Sequence, residues 1–172
     1  MTDLKQAYTT VAAHIEKDYG VRVKVCDVLD PNTGDFDGEH IYVDFALDAE
    51  NELFVLLHLF GHTVQWNTSE ELRKIGLDTQ TGKTEAELAP IYAYECDATR
   101  FGLTLLHDVG ITDLDRWASD WFYADWRFLR LLYLTGEKTD TRQHFRPGEG
   151  VTLTALPIPP FKPQKFTTRF AF

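Results

Sequence analysis

Cysteine is scarce in this sequence. Cys26 and Cys96 are the only two, and they form neither a metal-type pair nor a disulfide framework. Unpaired thiols are the expectation for a reducing compartment. Positive charge is short as well: 17 Lys and Arg stand against 27 Asp and Glu, a net charge of −10. That balance argues against direct nucleic-acid binding, which needs a basic face. No apolar run reaches the ~20 residues of a membrane-spanning helix. The opening residues, Met1-Thr-Asp-Leu-Lys, are polar and lack the apolar core of a signal peptide. There is no internal repeat. A single sequon, Asn67-Thr68-Ser69, stands without any other secretory feature. These absences predict a soluble, cytoplasmic protein with neither membrane nor nucleic acid as a direct partner. Its 172 residues, 44% of them hydrophobic, suffice for one domain with a sizeable core.

Apolar side chains are densest in Phe54-Val-Leu-Leu-His-Leu-Phe-Gly-His-Thr-Val-Gln-Trp66. His58 and His62 stand four apart in that run. On a helix, such residues share one face, one turn above the other. Two imidazoles placed so can hold one metal ion, as in HExxH zinc sites. The letters here read His58-Leu59-Phe60-Gly61-His62, so Leu59 occupies the position of the motif Glu. The competing reading is a pair of core histidines bonded to backbone or carboxylates, because a helix apolar nearly all round lies buried and its polar groups need partners. Gly61 inside this helix costs about 1 kcal/mol relative to Ala, and makes sense where another backbone or a ligand comes close.

Along the chain, Thr2 is the expected cap of a first helix carrying Leu4, Tyr8, Val11 and Ile15 and ending at Gly20. Val21, Val23 and Val25 alternate with polar neighbours, as do Ile41, Val43 and Phe45, predicting two strands around the turn-like Asp30-Pro-Asn-Thr-Gly-Asp35. Asp48 suits the N-cap of the histidine helix, with Glu50 and Glu52 in its first turn. Residues 67–83 read as a polar loop or short helix. Thr84 and Glu87 form a capping box for a long helix to about His107, which Pro90 delays or kinks. A third long helix is predicted from Thr112 and Asp113 to Leu134. Leu114, Trp117, Trp121, Ala124 and Phe128 form its core stripe, and Asp115, Asp120 and Asp125 are assigned to a solvated face. After Gly136 the composition changes. Residues 137–172 hold five of the seven prolines and six Lys and Arg against three Asp and Glu, with Phe161, Phe166, Phe170 and Phe172 spaced along them. This basic Pro/Phe-rich segment is expected to be an extended arm lying on the acidic body or on a second copy, the latter giving a homodimer.

Glu95 strengthens the metal reading, since zinc sites combine His with carboxylate and catalytic ones keep a fourth position open. It stands on the second long helix, which can face the first across a short connection. The segment Glu95-Cys-Asp-Ala-Thr-Arg-Phe-Gly102 resembles the Glu-x-Glu-Ala-Asp/Asn-x-Phe-Ala segment of the ImmA/IrrE-type zinc metallopeptidases. Ala98 and Phe101 match; Asp97, Thr99 and Gly102 are replacements. Ile41-Tyr42-Val43 followed by Leu53 to His62 is similar to that family's edge strand and His-Glu-x-Gly-His helix, over about residues 36–106. The resemblance implies a small zincin-like α+β fold, with a short twisted sheet packed on a buried metal-site helix and further long helices. Residues 1–136 are expected to form one zincin-like metallopeptidase-type domain, followed by the arm 137–172; the last helix and the arm are not covered by the resemblance. It also implies that His58, His62 and Glu95 are ligands of zinc or another divalent metal. Members are often coupled to helix-turn-helix repressors, which implies a protein or peptide partner such as a transcriptional regulator.

The departure is at Leu59. In that family the Glu after the first His is the general base, and leucine moves no proton. Losing a positioned base forfeits ~10²–10⁴ in rate. Asp97 points about 160° away from Glu95 on its helix, and Glu50 and Glu52 precede His58 by one to two turns, so none is a convincing substitute. The sequence reading is therefore a metal-binding, catalytically degenerate metallopeptidase-like protein with a binding or regulatory role. The alternatives are an active zinc-dependent hydrolase using another base, or a structural domain whose histidines are satisfied without metal.

Overall fold

The computed structural model describes residues 2–29 and 32–166, and the backbone of 170–171. Asp30 and Pro31 of the expected turn, Phe172, and the side chain of Phe170 lie outside the described residues.

The chain is a mixed α+β fold built around one central helix. Helix α1 (Leu4–His14) buries Ala7, Tyr8 and Val11. Its N-cap is Asp3, whose carboxylate accepts from Gln6 N at 2.9 Å. The expected cap, Thr2, instead donates its hydroxyl to Asp113 at 2.6 Å, a tie to the turn before the last long helix that local pattern does not show. A wider π turn, Ile15–Tyr19, continues α1 and ends at Gly20, whose φ of +69° favours glycine.

The sheet has the order β1-β3-β2-β4, from β1 (Arg22–Cys26), β2 (Gly34–Phe36), β3 (His40–Asp44) and β4 (Phe170–Ala171). β1 runs parallel to β3; β2 is antiparallel to β3, and β4 to β2. Val21 is buried just before the edge strand β1, but Val25 at its far end is 52% exposed, so the valine alternation does not mark a continuous buried face. β3 stops before Phe45, which is exposed. β2 is a strand that sequence pattern missed: only three residues long, it reads as turn, yet Phe36 is fully buried in the core.

Helix α2 (Ala49–Thr68) runs through the middle, buried on nearly every side from Glu52 to Trp66. Asp48 caps it as expected, accepting from Asn51 N at 2.9 Å. A further short helix, α3 (Glu70–Leu77), follows immediately, so most of the stretch from 67 to 77 is helical. Helix α4 (Glu85–Asp108) begins at the expected capping box, with Glu87 accepting from Thr84 N at 2.7 Å, and it runs on through Pro90. Helix α5 (Asp115–Thr135) starts three residues later than the Thr112 expected from the sequence and packs on α4.

The basic arm lies against the same molecule. Leu153 N donates to Ser119 Oγ at 2.9 Å, and Thr104 donates its hydroxyl to Leu156 O at 2.7 Å. Phe161 stacks on Tyr19 at 6.0 Å, and Phe166 meets Trp66 edge-on at 5.8 Å. No described helix is long and apolar enough to cross a membrane.

Candidate metal centre

The crossing of α2 and α4 sets the site. A Cβ on Gly61 would overlap the backbone carbonyl of Ala98, and one on Gly102 would approach Leu57 Cβ to 2.9 Å. Two glycines, one on each helix, therefore let the backbones come close. Three residues before Gly61's neighbour Ala98 on α4 stands Glu95, which this approach brings over the histidine face of α2.

The three expected ligands converge. His58 Nε2 and His62 Nε2 are 2.9 Å apart, and Glu95 Oε2 lies 3.1 Å from the first and 3.2 Å from the second. All three side chains are buried. Ligands at about 2.0–2.2 Å in a tetrahedral arrangement stand roughly 3.3–3.6 Å from one another, so the triangle needs only a slight opening to admit an ion.

The surroundings fix which atoms face inward. Gln65 donates from Nε2 to the Tyr94 carbonyl at 2.7 Å, which leaves its Oε1 facing His62 Nδ1 at 2.8 Å. That oxygen only accepts, so His62 carries its proton on Nδ1 and, when neutral, turns a lone pair on Nε2 into the site. Such an outer hydrogen bond is the usual way a metal-ligating His is oriented. Tyr94 stacks on the His62 ring at 4.5 Å, and Phe54 on His58 at 5.6 Å, so both imidazoles are clamped. Burial alone would push the Glu95 carboxyl up; attraction and hydrogen bonding from His62 and His58 outweigh it and hold the carboxyl down at about 2. A carboxylate and an inward-facing imidazole lone pair crowd one buried point, a donor set that a cation satisfies. The residues fit a divalent metal, and the geometry leaves its identity open.

A cavity of about 250 Å³ opens beside His58, walled by Phe54, Leu59 and Trp121, with Arg142 of the arm at its margin. Leu59 is fully buried and lies under Gly34 of β2, where an added Cβ would meet it at 2.7 Å. The position next to His58 is thus filled with hydrocarbon. The carboxylates weighed as substitutes are committed elsewhere: Asp97 pairs with Arg100 at 3.0 Å, Glu50 accepts from the Trp117 indole at 3.0 Å, and Glu52 pairs with Lys5 at 2.6 Å.

The assignment of three α5 aspartates to a solvated face is corrected. Asp120 is buried and bound by Arg116 and by Gly148 N at 2.9 Å, while Asp115 meets His107 at 2.7 Å. Asp125 is buried and lines the same cavity as His58. Burial pushes its carboxyl up to about 7; His58 works against that rise and Glu95 adds to it. Its signal in the sequence was its place one turn after Trp121, on the stripe assigned to the core. Gln65 had the corresponding signal, three residues after His62 on an otherwise apolar helix. Cys26 and Cys96 are both unpaired with each other and outside the site. Comparison with known protein families, with curated proteins and with solved structures finds no match for this chain.

Proposed function

We propose that this chain is a divergent, zincin-like relative of the ImmA/IrrE-type zinc metallopeptidases. In this reading it holds one zinc ion through His58, His62 and Glu95, and acts by binding a protein or peptide rather than by cleaving it. One observation carries the reading: the approach of three metal-ligating atoms to within 3.2 Å at a buried helix crossing. Two imidazoles and one carboxylate with a further position open are an ordinary donor set for zinc. Zinc, when bound, supplies Lewis acidity. The chain's own residues do the rest. Gln65 orients His62, Phe54 and Tyr94 clamp the imidazoles, and Leu59 keeps water and proton-carrying groups away from one side of His58. A binding role for a regulatory partner follows from the resemblance.

A second reading, a working hydrolase, is favoured by Asp125. This carboxyl lines the cavity beside His58 and is held near neutrality, where it can both take and give a proton. Purified full-length protein should contain one zinc per chain by elemental analysis. His62→Ala should abolish stoichiometric binding, and Glu95→Ala should weaken it at least tenfold. A protein that takes up no divalent metal, or a Glu95→Ala variant with unchanged affinity, would overturn the site. Zinc-loaded protein should show no peptidase activity above background. Cleavage that Asp125→Asn lowers by ~10²–10⁴ would select the hydrolase instead.

A further inference from the structure

Two side-chain pairs line the cavity beside His58. Phe54 and His58 stand four apart on α2, and Trp121 and Asp125 stand four apart on α5, so each pair shares one helix face. Residues 140–142 of the arm complete the wall. The charges on that arm segment are committed: Arg142 pairs with Asp48, and Asp140 accepts from Arg142 N at 2.9 Å. Asp125 differs. It is only 8% exposed and lines the cavity, and no hydrogen bond from the described residues reaches its carboxyl group.

A carboxylate so enclosed is costly unless an opposite charge or several donors reach it. The arginines of α5 and of the adjoining arm segment serve other acids: Arg116 pairs with Asp120, Arg127 with Glu149, Arg130 with Glu85 and Arg142 with Asp48. Opposite Asp125 the wall is hydrocarbon, from Phe54, Leu59 and the Trp121 ring. Aromatic faces attract an ammonium or guanidinium group, and the Arg142 guanidinium already lies 5.9 Å from the Trp121 ring. A second acid on the wall, Asp140, disfavours an anionic guest. An apolar cavity of roughly 150 Å³ holds benzene. At about 250 Å³ this cavity has room for a ring or a short aliphatic stem together with an ammonium group.

We propose that the cavity is a binding site for a primary amine on a short apolar stem, with its ammonium on Asp125 and its stem against Phe54, Leu59 and Trp121. Two sources carry that chemistry: a free aromatic or alkyl amine, and the lysine side chain of a bound peptide. The site is built from α2, α5 and the arm, so it stands or falls separately from the ion.

The test uses full-length protein and calorimetry with benzylamine, benzyl alcohol and benzoate, which share one ring and differ in charge. Benzylamine should bind at least about tenfold more tightly than either of the others, the order of a hydrogen bond to a charged group, and should shift the Trp121 indole resonance. Asp125→Asn keeps the shape and removes the charge. It should erase the preference for benzylamine while leaving benzyl alcohol affinity unchanged, a control that a misfolded variant would fail. Chelator-stripped protein should bind benzylamine as tightly as untreated protein. Equal benzylamine affinity in Asp125→Asn, a preference for benzoate, or binding of none of the three would overturn the proposal. So would loss of benzylamine binding on chelation, because the amine would then be a ligand of the ion. Benzylamine binding through Asp125 in a chain that takes up no zinc would uphold the amine site while removing the metal reading. The amide of N-acetyl-lysine distinguishes the sources: tighter binding than benzylamine assigns the site to a partner's lysine, and weaker binding assigns it to a free amine.

Discussion

His62 has a separate task for each ring nitrogen: Nδ1 is bound by Gln65 at 2.8 Å, and Nε2 points at His58 and Glu95. The letters His58, His62 and Glu95 marked the residues that converge because four-residue spacing fixes a helix face and the second-helix segment was distinctive. Gln65 and Asp125 were not marked as site residues. Spacing along one helix does not tell which face of another helix it meets, and a lone carboxylate among tryptophans reads as surface. Leu59 is the position where sequence and geometry make the sharpest joint statement. It is fully buried against β2, next to the candidate ligand His58. Leu59→Glu should destabilise the metal-free protein by a few kcal/mol, the order of cost for burying a polar group without a partner, and zinc should recover part of that loss. It should also bring measurable zinc-dependent hydrolysis. A variant as stable as the parent without metal would mean that residue 59 is not enclosed in hydrocarbon.

Helices α2 and α4 show what a glycine contributes at the level of elements. In an isolated helix, Gly61→Ala gains about 1 kcal/mol. Here its Cβ would overlap the Ala98 backbone, which cannot move aside as a flexible side chain would. Overpacking of this kind typically costs about 1–3 kcal/mol, and the helices must separate, carrying Glu95 away from the histidines. Gly61→Ala should therefore lower the denaturation midpoint and weaken zinc binding together. A stabilised variant with unchanged affinity would show that the crossing is looser than drawn. The long elements α2 and α4 were legible because each carries a capping residue and an extended apolar pattern. β2 and α3 were not. A three-residue strand holds no period, and its identity comes from β3 pairing with it across the turn.

For the whole molecule, packing holds the arm in place more than charge does. Residues 137–172 carry a net +3 of the total −10, leaving −13 on the rest. Yet the ion pairs run in both senses, Arg142 of the arm to Asp48 and Arg127 of the body to Glu149 of the arm. All four side chains are well exposed or nearly so, and surface pairs contribute only about 0–1 kcal/mol each. Leu153, Leu156, Phe161 and Phe166, packed on the main core, and the backbone hydrogen bonds beside them outweigh that. The electrostatics that matter globally lie inside, at two carboxyls displaced in opposite directions. Asp125 titrates at about 7 in the folded chain against 3.8 ordinarily, and Glu95 at about 2 against 4.5. Between pH 3.8 and 7 the folded state holds a proton on Asp125 that the unfolded chain has released. That contribution is full below about pH 4 and is lost as pH rises through about 7. The Glu95 contribution is present above about pH 4.5 and lost as pH falls through about 2. The metal-free protein should therefore be most stable near pH 4–5 as far as these two groups decide it. Stability should fall by an amount on the order of a few kcal/mol toward pH 7.5. Asp125→Asn cannot ionise, so denaturation midpoints measured across that range should flatten in the variant. Parallel curves for the two proteins would show that Asp125 does not hold its proton in the folded state.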